Sequence, residues 1–298
     1  MKLLSYYRAR FQYPELRDYV DMGLGIEARY LRCKAFWKRH IELSKAFQAR
    51  QCGRCKEKGV VAVLGAGRLF DVDEEALGAF KSIHLFDADP TVRPAWKKMR
   101  QRLTAQQELV EHIGDITGSI SSWTSSMQNY LRQHPSNDLP GFSKLLDSLA
   151  VDAARIGNYD VLVSLNLLSQ LGIYWRERVE LALGKAWGIR LDQRGCLPEP
   201  VEKALARSQK RIEQSHLDML ATSGASVVVL INDAFYLYYR KDSAQWQEEP
   251  ALGVSQISLP GYALSDEDTW FWHIAPQDIE QPEYGAIHQV QARCFTRV

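Results

Sequence analysis

The sequence predicts an α/β fold with a mostly parallel sheet, and three observations near residue 60 carry that prediction. Two short apolar runs, residues 60–64 and 83–86, are separated by residues 73–80, which have a helical pattern. The first run ends in the turn Gly65-Ala66-Gly67, and the second run ends at Asp87. Strands that alternate with helices in this way form βαβ units, in which the strands lie parallel.

The glycine turn and the acid at position 87 predict a site for a nucleoside-like cofactor. Glycines let the backbone turn tightly and approach a ligand closely, because they have no Cβ. Open α/β sheets bind ligands at the carboxyl ends of their strands, where both features lie. The 22 positions from Gly65 to Asp87 are close to the roughly 20 expected between such a turn and an acid that binds ribose hydroxyls. A tight turn without a ligand is the alternative interpretation.

The residues after the turn favour a cofactor without a pyrophosphate. A dinucleotide turn has a small residue at its sixth position, and Phe70 stands there. The next helix is expected to start at Asp73 as N-cap, with Glu74 and Glu75 in its first turn. Acids at a helix N-terminus would repel a pyrophosphate. A nicotinamide oxidoreductase is therefore a weaker alternative.

From about residue 60 to the C-terminus, the sequence resembles the class I S-adenosylmethionine-dependent methyltransferases. Residues 64–67 resemble the first motif of that family, residues 85–89 the second and residues 112–116 the third. Residues 159–164 and 226–233 resemble its fourth and fifth strands. The resemblance implies a Rossmann-like seven-stranded, mostly parallel sheet with helices on both faces and a C-terminal antiparallel hairpin.

The resemblance also implies the cofactor, S-adenosyl-L-methionine, and the residues that contact it. The glycine turn would wrap the methionine moiety, Asp87 would bind the ribose, and Asp115 would face the adenine amino group. The implied contacts are Gly65, Ala66, Gly67, Asp87, Ala88, Asp115, Ile116 and Leu165. Leu69 departs from the family, because a third glycine often occupies that position.

The sequence contains less information about the methyl acceptor than about the cofactor. Residues 165–171 contain no Asn-Pro-Pro-Tyr or Asp-Pro-Pro-Tyr, the signature of enzymes that methylate exocyclic amines of bases or glutamine amides, and no Pro-Cys nucleophile for cytosine C5 is present. We expect a small-molecule acceptor in preference to nucleic acid, with His40, Asn166, Gln170 and Asp233 as candidate contacts. Each has a structural alternative, a packed histidine for His40 and capping roles for the others. No catalytic residue is assigned.

Composition indicates a globular protein of 298 residues, with 46% hydrophobic and 24% charged residues. No apolar run approaches the roughly 20 residues of a membrane span, and no signal peptide is evident, so we expect a cytoplasmic location. The domain prediction is an N-terminal helical cap segment, residues 1–58, before a methyltransferase-like domain, residues 59–298. Helical insertions are expected at about 117–158 and 172–224. A catalytically silent binding module on the same fold is the alternative function, and the sequence does not indicate the oligomeric state.

The N-terminal segment is predicted to be helical and is unusually basic. Residues 1–59 contain 14 Lys or Arg and 6 Asp or Glu, a balance of +8, whereas the remainder of the chain carries −7. We favour a solvated helix face, or docking on the acidic remainder, over a polyanionic partner. In the resembled family, helices before the first strand often cap the cofactor pocket.

The five cysteines include one CxxC pair, Cys52 and Cys55, in the expected link of residues 52–59. A structural zinc site needs four ligands, and Cys33 and His40 could complete one only by folding back. We therefore expect two ordinary thiols that bind no metal and form no disulfide.

The other elements are predicted as follows. The third strand covers about 109–113, residues 119–126 are irregular because they are serine-rich, and helices cover about 127–133 and 142–155. Helices at 174–187 and 199–221 separate the fourth and fifth strands. Residues 234–240 form a strand or a loop, and two final strands cover 269–274 and 288–296.

Overall fold

The computed structural model describes residues 3–151, 156–192, 195–243 and 246–298, and one sheet of eight strands lies at the centre of this described chain. The strands are β1 (Val60–Leu64), β2 (Ser82–Asp87), β3 (Glu108–Ile113), β4 (Val161–Leu165), β5 (Val227–Tyr239), β6 (Trp246–Pro250), β7 (Tyr262–Ala275) and β8 (Gly285–Arg297). Their order is β3-β2-β1-β4-β5-β8-β7, and β6 pairs with β5 beside this path. Strands β1 to β5 are parallel, whereas β8 is antiparallel to β5 and β7. The Rossmann-like fold with a C-terminal antiparallel hairpin is confirmed, with β6 as an eighth strand that was not predicted.

Helices cover both faces of the sheet, as expected. The helices are α1 (Leu3–Gln12), α2 (Arg17–Arg54), α3 (Glu74–Leu77), α4 (Arg93–Arg100), α5 (Ile120–Gln133), α6 (Leu139–Ser148), α7 (Leu168–Trp187) and α8 (Glu199–Thr222). Val61 and Val63 of β1 face a core shared with α2, α3 and α4. Ala62 and Leu64 face a second core shared with α8. This alternation follows from the period of two in a strand that is buried on both sides. No helix in the described ranges is both long enough and apolar enough to cross a bilayer.

The two predicted insertions pack against each other and form a third apolar cluster. Helices α5 and α6 come from the first insertion, and α7 and α8 supply the rest of the cluster. At its centre the rings of Trp123 and Trp175 meet edge to face, with centroids 5.2 Å apart. Tyr19 and Met22 of α2 pack against the same cluster. The insertions therefore build one helical layer beside the carboxyl end of the sheet.

The prediction that residues 119–126 are irregular is wrong. Helix α5 begins at Ile120, and the serine-rich stretch is its first two turns. Ile120, Trp123 and Met127 recur at helical spacing and are buried, so packing outweighs the modest helix propensity of serine. The hydroxyls of Thr124 and Ser125 donate to carbonyls one turn earlier, which satisfies them within the helix.

Several element boundaries also differ from the prediction. Helix α3 ends at Leu77, although Asp73 is its N-cap as predicted and accepts from the backbone of Glu75 and Ala76. Helix α6 ends at Ser148, and residues 152–155 of the predicted helix lie outside the described residues. Helix α7 begins at Leu168, six residues before the predicted start, because Leu168 and Leu171 extend its buried face. Residues 234–239 continue β5 as a strand.

The basic N-terminal segment docks on acidic residues of the C-terminal strands and their connection. Helix α2 runs to Arg54, so Cys52 lies in the helix and not in the predicted link. Arg50 and Arg54 contact Asp266 at 2.9 and 2.8 Å. Arg29 and Arg32 contact Glu280 at 3.0 and 2.7 Å. Exposed ion pairs contribute little free energy each, so their main effect is to fix the position of α2 along β7.

Helix α2 approaches the loop after β2 closely at one glycine. A Cβ built on Gly23 would lie 1.8 Å from Oδ2 of Asp89, which is far inside van der Waals contact. Asp89 cannot move freely, because its carboxylate accepts from the backbone N and the hydroxyl of Thr91 at 2.8 and 2.7 Å. A Cβ on Gly25, in the same helix, would have no atom within 4 Å. The docking of α2 therefore depends on the missing side chain at position 23.

We expect Gly23→Ala to lower the free energy of unfolding by about 1–3 kcal/mol, because overpacking must displace Asp89 or the helix. Gly25→Ala is the matched control, and it should raise stability by roughly 0.5–1 kcal/mol through helix propensity alone. Urea unfolding followed by circular dichroism measures both. Equal effects of the two substitutions would contradict the close approach.

Candidate functional site

Two adjoining cavities lie at the carboxyl ends of β1, β2 and β4. The main cavity has a volume of about 240 Å³ and is bounded by the glycine turn, α2 and β7. The side cavity has a volume of about 120 Å³ and extends toward the end of β3. They share the lining residues Tyr19, Met22, Gly65, Asp87, Leu167 and Gln170. This is the edge where β1 and β4 meet and the strand order reverses, the usual ligand position in such sheets.

The turn after β1 is locked onto β2. The backbone N–H groups of Gly65 and Ala66 both donate to the carbonyl of Phe86 at 3.0 Å. Gly65 has φ +75°, and a Cβ there would lie 2.8 Å from the carbonyl oxygen of Leu165. Leu69, at the position where the resembled family often has a third glycine, is buried with φ +63°. The turn therefore keeps a left-handed conformation at a leucine, which costs about 1–2 kcal/mol.

Asp87 lines both cavities, and its carboxylate is oriented by the backbone. One oxygen accepts from the N–H of Gly67 at 2.7 Å, and the other accepts from the N–H of Asp89 at 2.8 Å. Burial raises the pKa of Asp87 to about 6. Each oxygen keeps a second lone pair, so the group can still accept hydrogen bonds from two neighbouring hydroxyls. A Cβ on Gly67 would lie 4.0 Å from the Asp87 carboxylate, so the missing side chain keeps that space open.

The side cavity contains residues of the second and third motifs. Ala88, Asp115 and Ile116 line it. The carboxylate of Asp115 already accepts from the backbone and hydroxyl of Thr117 at 3.0 and 2.6 Å, and from the backbone of Ser121 at 3.1 Å. Asp115 therefore also orders the turn into α5. Of the eight residues implied to contact the cofactor, seven line one of the cavities, and Ala66 is buried behind the turn.

A polar group that joins three distant segments lies at the opposite end of the main cavity. Nδ2 of Asn166 donates to Oδ2 of Asp71 at 2.8 Å, and Nε2 of His40 lies 3.7 Å from the same oxygen. Asn166 has φ +49°, a conformation that asparagine tolerates well. His40 is buried, as the packed interpretation expected, yet it also lines the cavity. Asp71 was not predicted as a site residue, because the sequence does not indicate the direction of a side chain in the loop before Asp73.

Aromatic residues also line the cavity near this polar group. The rings of His40 and Trp272 stack with centroids 4.0 Å apart, and Trp37 meets Trp272 edge to face at 4.8 Å. Phe70 does not pack between helix and strand, since its ring stacks on Tyr30 of α2 at 4.0 Å. That these aromatic residues border a cavity was not evident from the sequence.

Of the predicted substrate contacts, Gln170 lines the cavities and Asp233 does not. Gln170 lies in the first turn of α7 and lines both cavities. Asp233 lies outside both linings, in a buried network with the Ser169 hydroxyl at 3.0 Å and Nδ1 of His288 at 3.1 Å. Because β5 continues for six residues beyond Asp233, this residue is inside a long strand and not at a strand end. Asp233 is therefore not part of the candidate site.

No family model matches the sequence, and neither does any curated protein. Solved structures with a similar fold include a candidate RNA methyltransferase from Pyrococcus horikoshii, with 13% identity, a TM-score of 0.42, and coverage of 86% of this chain and 85% of the other. They also include magnesium protoporphyrin IX methyltransferase from Synechocystis with bound S-adenosylmethionine, with 10% identity, a TM-score of 0.41, and coverage of 89% and 83%. An N-methyltransferase from Bradyrhizobium japonicum in complex with S-adenosylhomocysteine has 9% identity, a TM-score of 0.40 and coverage of 86% of both chains. Similarities at this level carry no argument about chemistry, and the fold is established by the strand order.

The cysteines lie away from both cavities. Within the described residues, no group of three or more His, Cys, Asp or Glu side chains is placed to hold a metal, and the cysteines form no disulfide. Cys52 and Cys55 are buried, and burial raises the pKa of Cys52 to about 12 and also raises the pKa of Cys55. The absence of a bound metal stays a prediction.

We expect iodoacetamide to label half-exposed Cys196 in the native protein well before Cys52 and Cys55, because the thiolate is the reactive form. Mass spectrometry of native and urea-unfolded samples measures the order, and elemental analysis measures metal. Zinc near one atom per chain, or equally fast labelling of Cys52, would contradict the assignment of ordinary thiols.

Proposed function

We propose that this chain is an S-adenosyl-L-methionine-dependent methyltransferase that acts on a small molecule. The observation that carries the proposal is the pairing of the Gly65–Gly67 turn with the Asp87 carboxylate. The two face one cleft, at the point where the strand order reverses. The same pairing belongs to the resemblance that the sequence bears to class I methyltransferases. A cytoplasmic location is part of the proposal.

The residues present fit this cofactor. Asp87 would accept from both ribose hydroxyls, and the open turn at Gly65 and Gly67 would hold the methionine moiety beside Leu165. The adenine would enter the side cavity beside Ala88 and Ile116. The acidic start of α3, with Asp73 as N-cap, argues against a pyrophosphate at this turn.

Positioning is the main task of the protein in this chemistry. The cofactor supplies a methyl group on a sulfonium, which is a good leaving group, so the side chains must align an acceptor and exclude water. Helix α2 contributes Tyr19, Met22 and Ile26 to the lining of the main cavity. This supports the role of residues 1–58 as a cap. Deprotonation is needed only for acceptors whose reacting atom carries a proton.

A small acceptor is favoured over nucleic acid by the charges around the cleft. Asp71, Asp87 and Asp89 line the main cavity, and they would repel phosphates. Four arginines of the basic N-terminal segment are engaged with Glu280 and Asp266. The alternative, a silent binding module, differs in that no methyl transfer would occur.

We expect S-adenosylhomocysteine and S-adenosylmethionine to bind, and NAD not to bind, in parallel calorimetric titrations. Ligand at about 100 times its Kd should add about 2.7 kcal/mol to the free energy of unfolding, visible as a rise in Tm. Binding of NAD alone, or no binding at millimolar ligand, would refute the cofactor assignment. Binding without transfer to any acceptor in a broad screen would favour the silent module.

We expect Asp87→Ala to weaken S-adenosylhomocysteine binding about tenfold or more, since hydrogen bonds to a charged group contribute roughly 1.5–3 kcal/mol. Asp242→Ala, at an exposed carboxylate paired with Arg240, is the control and should bind normally. Calorimetry measures both dissociation constants. Unchanged affinity in Asp87→Ala would move the ribose contact to another residue.

The raised pKa of Asp87 predicts that both ligand affinity and protein stability depend on pH. Its pKa in the ligand-free protein is about 6, above the ordinary 3.8. Below about pH 6 the carboxyl must lose a proton to bind the ligand, so wild-type affinity should fall toward tenfold per pH unit. The pKa shift also affects stability. The folded protein binds the Asp87 proton more tightly than the unfolded chain does, so protonation of Asp87 stabilises the fold at low pH. This contribution to the free energy of unfolding is lost as pH rises through about 6. Asp87→Ala should lack both trends, and titrations across this range test them.

A further inference from the structure

The main cavity contains a carboxylate that the cofactor assignment does not use. Three carboxylates and one histidine line it, namely Asp71, Asp87, Asp89 and His40. Asp87 is assigned to the ribose. Asp89 accepts two hydrogen bonds from Thr91 and packs against Gly23 of α2, so it is a structural group. Asp71 and His40 remain as groups that could receive a proton from an acceptor.

The contacts of His40 exclude it as the proton acceptor. The indole Nε1 of Trp270 donates to Nδ1 of His40 at 3.0 Å, and a tryptophan N–H can only donate. Nδ1 is therefore unprotonated, and the ring carries its proton on Nε2, which lies 3.7 Å from Oδ2 of Asp71. Nδ2 of Asn166 lies 3.4 Å from the same nitrogen, and since both groups are donors this contact is not a hydrogen bond. A donor at Nε2 can orient a carboxylate, but it cannot take a proton from a substrate.

Asp71 is held at one oxygen and open at the other. Oδ2 accepts from Asn166 at 2.8 Å and lies 3.7 Å from His40, whereas no donor among the described residues contacts Oδ1. The side chain is 22% exposed. Asn166 thus positions the carboxylate by a hydrogen bond, His40 lies beside the same oxygen, and the other oxygen stays available to a ligand.

The surroundings of Asp71 favour a cationic or N–H-bearing ligand with an apolar body. Trp37, Phe70 and Trp272 line the same cavity, and aromatic faces attract ammonium groups as well as apolar surface. Of the described residues in this lining, Arg68 is the one permanent cation, and it is engaged with Thr91 and Glu27 at 2.8 and 3.2 Å. A carboxylate-bearing acceptor would meet Asp71 without a compensating charge.

We propose that the methyl acceptor is an amine on an apolar or aromatic body, and that Asp71 binds its ammonium form and removes its proton. The inference rests on the proposed function. One N–H proton passes from the ammonium to Oδ1, which frees the nitrogen lone pair. The nitrogen then forms a bond to the methyl carbon as the carbon–sulfur bond breaks, and that electron pair goes to the sulfonium sulfur. The product is a methylated ammonium ion and a neutral thioether.

The test uses the full chain saturated with S-adenosylhomocysteine and three probes of one shape, namely phenethylamine, 2-phenylethanol and 3-phenylpropanoate. Calorimetry at millimolar probe should show binding of the amine and little or none of the alcohol and the acid. Asp71→Asn should weaken amine binding about tenfold or more, because it removes the charge and keeps the size of the side chain. Asp278→Asn, at an exposed carboxylate paired with Lys241, is the control and should not change it.

The outcomes separate this inference from the proposed function. Failure of S-adenosylhomocysteine to bind refutes the proposed function itself. If it binds but the wild type does not prefer the amine, the acceptor class is wrong, and this comparison needs no variant. If Asp71→Asn weakens S-adenosylhomocysteine but not 5′-methylthioadenosine, Asp71 belongs to the amino-acid part of the cofactor and the inference is overturned.

Discussion

The hydrogen bonds between the glycine turn and β2 are the constraint on which the site depends. Two backbone N–H groups of the turn bind the Phe86 carbonyl, and a third binds Asp87. Together they fix the turn, orient the carboxylate and keep open the space between them. The buried leucine at position 69, with its positive φ, shows that the loop keeps this geometry even at a conformational cost.

Helix α2 converts that edge of the sheet into an enclosed site. It passes Asp89 at Gly23, adds Trp37 and His40 to the cavity wall, and pairs with acidic residues of the C-terminal strands through four arginines. Four of the 14 basic residues of the N-terminal segment thus serve docking within the chain. Its exposed lysines, such as Lys34 and Lys38, form the solvated face that the sequence also indicated.

Local patterns predicted the parts of the fold that depend on local physics. The βαβ unit, the N-cap at Asp73 and the final antiparallel strands follow from period, capping and turn chemistry. The first two turns of α5 were missed because the low helix propensity of serine suggested irregular structure, whereas the burial of Trp123 decides the outcome. Asp71 and the aromatic wall were missed because their meaning arises only when segments that are distant in sequence come together.

The pairing of Trp37 with the carbonyl of Ile274, 237 positions later, has a consequence for biosynthesis. Helix α2, which roofs the site, leaves the ribosome well before β7, the strand that completes its aromatic wall. During translation α2 therefore has an apolar stripe without its final partner until β7 emerges. Contacts of such long sequence separation slow folding. The nascent chain must keep Trp37 and Phe47 from aggregating until β7 has been made.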